Sequence, residues 1–107
     1  IKNEKLSYKF WATASIMAAY YEILNISSNW LIKKGINKST ANNYIAELFL
    51  SLSQDAVNKK SQGFKKLVAD SQTPKGLNMQ VLKELKKGRF YSKFIKAMDN
   101  INRRVSS

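Results

Sequence analysis

Apolar side chains recur at helical spacing along most of the chain, and no stretch alternates between apolar and polar residues as a strand would. The clearest run has its apolar positions three or four residues apart: Ala41, Tyr44, Ile45, Leu48, Phe49, Leu52 and Ala56. This period matches one face of an α-helix held for four turns. Asn37, just before the run, has the side chain of a helix N-cap. The pattern predicts a helix over about residues 38–60.

The preceding segment, residues 7–34, also predicts a long helix, but part of it has no polar face. Between Phe10 and Tyr21, ten of twelve residues are apolar, and the other two carry hydroxyl groups. A helix that is apolar all round must be covered all round. Either the other helices of the same chain cover this segment, or a second subunit covers it as well. Small residues such as Ala18 would let another backbone approach closely.

Three further helices are predicted in the second half of the chain. A short one lies around residues 64–68, a second covers residues 77–87 and stops at Gly88, and a third covers residues 90–105. The second places Leu77, Val81, Leu82 and Leu85 on one face. The third is expected to point six apolar side chains inward: Tyr91, Phe94, Ile95, Met98, Ile101 and Val105. The sequence therefore predicts an all-α protein of about five helices, two of them long, with residues 1–107 forming a single domain.

Composition removes several kinds of chemistry. The chain has no cysteine and no histidine, which excludes disulfides, thiolate nucleophiles, Cys/His zinc sites and imidazole bases. The acidic residues Glu22, Glu47, Asp55 and Asp70 show no paired spacing on one helix face, so solvated or capping roles are expected for them. There is no GxGxxG motif, phosphate loop or nucleophile elbow. We therefore expect no catalytic, metal-binding or cofactor-binding residue in this chain.

The net charge of +12 is concentrated in the second half. Residues 1–57 carry six Lys and Arg against four acidic residues, whereas residues 58–107 carry thirteen against three. Such a half could bind phosphate backbones, so a stand-alone basic nucleic-acid-binding module is one alternative, and a helical scaffold protein is another. However, the lysines fill the outer faces of amphipathic helices, and Arg103 and Arg104 lie at a helix C-terminus, where the dipole favours cations. Binding to nucleic acid is therefore not expected.

The location of the protein is also constrained by its apolar pattern. No apolar run reaches the ~20 residues needed to span a bilayer, and no secretory signal is present. We expect a cytoplasmic protein with no membrane contact. The chain begins with Ile1 rather than Met, which fits a fragment of a longer polypeptide.

A loop whose residues suit anion binding leads into the predicted helix at residues 77–87. Pro74 pushes Thr73 out of the helical conformation, and Gly76 allows a tight backbone path. The helix start presents free N–H groups and the positive end of the helix dipole, which suit a carboxylate or a phosphate. An ordinary helix-initiating turn explains the same residues, and the residues by themselves favour that interpretation.

The same stretch resembles a known family. The run LVADSQTPKGLNMQVLKELKKGRF, residues 67–90, is similar to the C-terminal loop and helix of pyrroline-5-carboxylate reductases, where Thr/Ser-Pro-Gly-Gly precedes a short polar helix. The surrounding order also fits: an alanine-rich long helix, Gly35-Ile36-Asn37 in place of a Gly-Leu-Ser helix start, a second long helix and a final amphipathic helix. The resemblance covers residues 8–105.

The resemblance implies a C-terminal dimerisation and substrate-loop domain of an NAD(P)H-dependent oxidoreductase, acting in proline biosynthesis or in a related imine or carbonyl reduction. In that family two helical domains interleave as a homodimer, and an N-terminal Rossmann domain holds the nicotinamide cofactor. By implication this chain is a C-terminal fragment without its Rossmann domain. It would bind no cofactor itself, and NAD(P)H would be used only by the full-length protein.

By position, the resemblance places a small carboxylate substrate on Thr73, Lys75, Gly76, Leu77 and Asn78. Thr73 would offer its hydroxyl to the carboxylate. Backbone N–H groups from Lys75 to Asn78 would complete the anion site. Asn78 would face the ring nitrogen of the substrate.

Two departures from the family pattern are expected to matter. Lys75 replaces the first glycine of the usual pair, so a side chain enters where the backbone normally approaches the ligand. In the first helix, Ser15-Ile16-Met17-Ala18 stands where the family has Ser-Gly-Pro-Ala. Ile16 adds bulk, and Met17 is expected to remove the kink that a proline causes.

Overall fold

A computed structural model describes residues 4–107, with side chains from Leu6 onward. The regular structure of these residues is helical throughout and consists of α1 (Glu4–Ala14), α2 (Met17–Lys33), α3 (Lys38–Lys59), a short 3-10 helix (Lys60–Gln62), α4 (Phe64–Asp70), α5 (Leu77–Lys87) and α6 (Phe90–Ser106). The predicted all-α class is confirmed. Residues 1–3, where the predicted domain begins, lie outside the described residues.

The helices form two compact units. The terminal unit contains the described residues up to Ala18 together with Thr73–Ser107, and the central unit contains Ala19–Gln72. In the terminal unit, α6 packs against both α1 and α5. In the central unit, α3 packs against α4 and the 3-10 helix, and its side chains contact α2. That the chain forms one domain stays a prediction.

Two side-chain contacts show that α2 and α3 run antiparallel. Ser28 Oγ donates a hydrogen bond to Asn42 Oδ1 at 2.5 Å, and the rings of Tyr20 and Phe49 meet edge-on with centroids 6.0 Å apart. The earlier residue of α2 therefore pairs with the later residue of α3. Ser28 is buried, and this hydrogen bond satisfies its hydroxyl group.

A Schellman motif ends α2 and turns the chain toward α3. The N–H of Ile36 donates to the carbonyl of Leu31 at 3.1 Å, and the N–H of Gly35 donates to the carbonyl of Ile32 at 3.0 Å. Gly35 has a φ of +103°. A residue with positive φ directly after the helix is what this motif requires, and glycine adopts such a φ without strain.

Replacing Gly35 with alanine is expected to lower the free energy of unfolding by about 1 kcal/mol, because a Cβ is strained at positive φ. Gly88 offers a matched control, since it follows α5 with a φ of −77°. A Cβ there would lie 3.5 and 3.8 Å from two backbone oxygens, which is ordinary contact. Gly88→Ala should therefore be neutral or slightly stabilising. Urea unfolding measures both variants, and equal midpoints would contradict this assignment.

The predicted boundaries of the four helices after residue 37 agree closely with the observed ones. Asn37 caps α3 as predicted, because its Oδ1 accepts a hydrogen bond from the N–H of Thr40 at 2.8 Å. Gly88 follows the last residue of α5, also as predicted. The positive φ at this junction, however, belongs to Arg89, at +62°, and not to the glycine.

The predicted single helix over residues 7–34 is wrong, because the chain breaks between the end of α1 and the start of α2. Just before α2, Thr13 Oγ1 and Ser15 Oγ donate hydrogen bonds to backbone carbonyls of the preceding turn, at 2.8 and 2.7 Å. Such bonds compete with the helix ladder and bend helices. The helix is thus interrupted here without a proline, and the expectation that Met17 removes a kink stays a prediction.

Few side chains of the described residues are buried. The buried apolar residues are Ala12, Ala41 and Ile45, whereas twenty-two large apolar side chains are exposed, half of them in each unit. Half of the inward positions predicted for α6 are therefore exposed, and so is most of the apolar face of α5. Exposed members are Leu77, Val81, Leu85, Tyr91, Phe94 and Ile95, and half-buried members are Leu82, Met98, Ile101 and Val105.

The segment from residue 10 to residue 21 is only partly covered. Phe10, Trp11, Met17 and Tyr21 are each more than half exposed. This exposure favours the arrangement in which a second subunit also covers the segment, and that arrangement stays a prediction.

Candidate functional site

The exposed apolar surface is the first candidate site. Twenty-two large apolar side chains of the described residues are exposed, half of them in each unit. Tyr44, Leu48 and Leu52 follow one another at four-residue steps on α3 and are all exposed, so they form one stripe. Monomeric soluble proteins rarely leave such contiguous patches open. The surface is chemically suited to burial against another protein.

The second candidate site is the loop before α5, in the terminal unit. The N–H of Gly76 donates to the carbonyl of Thr73 at 2.8 Å and closes a four-residue turn. Pro74 is at the second position of this turn, and Lys75 is at the third with a φ of +62°. Proline at the second position and a positive φ at the third are features of a type II turn, which usually carries glycine at the third. Lys75 therefore holds a conformation that favours glycine.

Gly76 is needed here for its lack of a side chain. Its φ of −81° and ψ of 166° are open to any residue. A Cβ at this position would, however, clash with Thr73 Oγ1 and lie 2.9 Å from the Thr73 carbonyl oxygen. The hydroxyl group of Thr73 therefore lies directly against the backbone that enters α5.

The start of α5 leaves backbone donors free. The first hydrogen bond into the helix runs from the N–H of Gln80 to the carbonyl of Gly76 at 3.1 Å, and no side chain caps this end. Within the described residues, the N–H groups of Leu77, Asn78 and Met79 thus have no partner, at the positive end of the helix dipole. The N–H of Gly76, predicted to be a free donor, is instead used by the turn.

The side chains of the predicted site residues are accessible. Thr73, Lys75 and Asn78 are exposed, Leu77 is 82% exposed, and Gly76 is half-buried. In the part of the chain that the structure describes, the hydroxyl of Thr73 makes no hydrogen bond. This arrangement offers one hydroxyl and several N–H donors to an anion at the helix start.

A cavity of about 390 Å³ lies beside this loop and includes residues that sequence reasoning missed. It is lined by Lys75, Gly76, Met79, Gln80, Lys83 and Glu84. Met79, Gln80, Lys83 and Glu84 lie four or eight residues after Lys75 or Gly76. This helical spacing puts them on the same side of α5 as the loop and could have identified them from the sequence. Gln80 Nε2 donates a hydrogen bond to Glu84 Oε2 at 3.0 Å. Lys75 lines this cavity and Thr73 does not, so the two side chains border different spaces.

Replacing Lys75 with glycine is expected to raise the free energy of unfolding by about 0.5–1 kcal/mol. A non-glycine residue in the left-handed region costs roughly 1–2 kcal/mol. Glycine removes this strain, but its greater freedom in the unfolded chain lowers the free energy of unfolding by about 0.5–1 kcal/mol and offsets part of the gain. Lys75→Ala is the control, because it removes the ammonium group and keeps the strained backbone. Thermal unfolding of the two variants measures the difference. If Lys75→Ala stabilised the protein as much as Lys75→Gly, the gain would come from removing the lysine side chain and not from relieving the backbone.

The acidic residues singled out in the sequence are exposed, as predicted. Asp55 and Asp70 each form an ion pair one turn along their own helix, with Lys59 at 3.1 Å and Lys66 at 2.9 Å. Exposed pairs of this kind contribute little to stability. Among residues 4–107, no helix is both long enough and apolar enough to cross a membrane.

The family model for pyrroline-5-carboxylate reductase dimerisation matches residues 4–107, which is nearly the whole chain. The chain belongs to the pyrroline-5-carboxylate reductase dimerisation family. No curated protein and no solved structure matches it. Membership of a dimerisation family implies that the chain forms homo-oligomers, and this agrees with the large apolar surface described above.

Proposed function

We propose that this domain joins two copies of a reductase into a homodimer and presents a carboxylate-binding loop to the substrate of each copy. The observation that carries the proposal is the apolar surface, made by twenty-two exposed large apolar side chains of the described residues, half of them in each unit. Obligate dimers bury about 2,000–5,000 Å² in total, so a second copy could cover much of this apolar surface. In an interleaved homodimer, helices of the partner would lie against the exposed apolar faces of α3 and α6.

The loop is proposed to hold a small carboxylate substrate. The free N–H groups of Leu77 and Asn78 would donate to the carboxylate oxygens, and the helix dipole would favour their negative charge. The hydroxyl of Thr73 would add a neutral donor, and Gly76 would let the ligand approach the backbone. Lys75 would contribute a positive charge at the edge of the site. Asn78 is also proposed to contact the ring nitrogen of the substrate.

The proposed reaction is the NAD(P)H-dependent reduction of an imine or carbonyl group, as in proline biosynthesis or a related conversion. The described residues do not fit a dinucleotide, because none of them forms a strand that leads into a glycine-rich turn at a helix start. NAD(P)H is therefore proposed to bind a Rossmann domain beyond these residues. This chain would supply pairing and substrate binding, with no catalytic residue, in a cytoplasmic enzyme.

Sedimentation equilibrium tests the pairing that this proposal requires. At micromolar concentration the domain is expected to have twice its chain mass of 12.2 kDa. A monomer mass under those conditions would contradict the homodimer.

A further inference from the structure

The outer side of α2 carries an apolar seam with coiled-coil spacing. Ala19, Ile23, Ile26 and Trp30, which we call the outer seam, follow one another at steps of four, three and four residues. An α-helix turns about 100° per residue, so these four positions lie within an arc of about 60°. Alternating three- and four-residue steps are the pattern by which one helix packs lengthwise against another.

The outer seam faces away from the helix that α2 already contacts. Ser28, whose hydroxyl bonds to Asn42 of α3, is about 160° around the helix from Ile26. Ile26 and Trp30 are 58% and 60% exposed. The α2 helix therefore has a second apolar face that α3 does not cover.

Polar groups border the outer seam and already have partners. Asn25 Nδ2 donates a hydrogen bond to Glu22 Oε1 at 2.7 Å, and Asn29 Nδ2 donates to Asn25 Oδ1 at 3.3 Å. The Nζ of Lys34 lies 5.3 Å from the centroid of a Trp30 ring. An apolar centre with a polar, hydrogen-bonded rim is the usual anatomy of a protein–protein interface.

We infer that the outer seam packs antiparallel against the outer seam of a second copy of this chain. The inference rests on the proposed homodimer and names the helix face and register that form part of it. A second copy is the occupant because the chain belongs to a dimerisation family, which implies homo-oligomers, and because Ile26 and Trp30 stay more than half exposed on α2. A two-fold contact also needs a patch that complements itself.

The residues of the outer seam complement one another in the antiparallel direction. With the two-fold axis passing between residues 24 and 25, the large ring of Trp30 lies over the partner's Ala19, and Ile26 lies beside the partner's Ile23. A parallel pairing would instead oppose the two tryptophan rings. It would also bring Lys33 and Lys34 next to the same two cations of the partner, and this repulsion is absent from the antiparallel arrangement.

Tryptophan fluorescence tests whether the outer seam is the contact. The chain has two tryptophans, so Trp11→Phe leaves Trp30 as the only reporter. As protein concentration rises through the dissociation constant, emission from Trp30 is expected to shift to shorter wavelength and acrylamide quenching is expected to fall severalfold. Sedimentation of the same samples reports the mass.

The outcomes separate this inference from the proposed homodimer. A dimer mass with Trp30 still fully quenchable would overturn the outer seam as the contact and leave the homodimer standing. Trp30 shielded at monomer mass would also overturn it, because the chain's own helices would then cover the seam. A monomer mass at all concentrations would remove the homodimer and the inference together.

Cysteine cross-linking tests the register. The chain has no cysteine of its own, so any disulfide must come from the introduced residues. Ala19→Cys and Trp30→Cys are made as separate proteins, mixed and oxidised. The antiparallel register predicts a mixed disulfide between the two proteins and little cross-linking of either alone. Efficient cross-linking of Trp30→Cys with itself would show a parallel pairing and overturn the register.

Discussion

Leu52→Asp is expected to leave the protein monomeric at concentrations where the unaltered chain is a dimer. Leu52 is 58% exposed and ends the apolar stripe that begins at Tyr44 on α3, so the proposed pairing would bury it. An aspartate there would take an unpaired carboxylate out of water, and the penalty is several kcal/mol per ion. A loss of about 3 kcal/mol raises the dissociation constant more than a hundredfold. Sedimentation equilibrium over a range of concentrations measures this change.

Asn43→Asp is the matched control for this prediction. It places the same carboxylate on the same helix, at an exposed position outside the stripe, with almost no change in shape. Its dissociation constant should stay within a few fold of the unaltered protein. If Leu52→Asp paired as tightly as this control, the α3 stripe would not be part of the contact.

The ends of most helices could be predicted because they depend on local chemistry that the sequence displays. Asn37 places a hydrogen-bond acceptor where α3 begins, and Gly88 follows α5 where the apolar period stops. The break before α2 was missed because its cause does not change the apolar pattern. The hydroxyl groups of Thr13 and Ser15 bond to carbonyls of the turn before them, and two hydroxyl residues within an apolar run are equally compatible with a continuous helix.

The sequence could not decide which apolar faces are covered within one chain. Ile45 and Leu48 belong to the same apolar face of α3 by their spacing, yet Ile45 is buried and Leu48 is exposed. A helical period shows that a face must be covered and does not identify the cover. The same limit applies to Phe94 on α6, which was predicted to point inward and is exposed.

The candidate loop could be predicted from the sequence because its residues are consecutive. Thr73, Pro74 and Gly76 predict a turn before a helix, and the structure has that turn. The use of the Gly76 N–H within the turn was missed, because donor pairing depends on the turn type. The φ of Lys75 was missed for a related reason, since a lysine gives no signal for a positive φ.

Thr73→Val is expected to raise KM for a small carboxylate substrate roughly five- to thirtyfold in the reductase that carries this domain, while the unfolding midpoint stays nearly unchanged. The hydroxyl of Thr73 has no partner within the described residues, so its loss breaks no internal hydrogen bond. One hydrogen bond to a charged group contributes about 1–2 kcal/mol, which sets the size of the effect. Steady-state kinetics with pyrroline-5-carboxylate measures it. Thr40→Val is the control, because that exposed side chain lies on the first turn of α3.

Gly76→Ala tests the same loop by shape rather than by hydrogen bonding, and its effect should be the larger of the two. A methyl group at this position would clash with Thr73 Oγ1 and with the Thr73 carbonyl, so the turn and the start of α5 must move. That movement would displace the free N–H groups of Leu77 and Asn78 from the carboxylate. If KM changed with neither Thr73→Val nor Gly76→Ala, the loop would be an ordinary helix-initiating turn, and pairing would be the only role left for the domain.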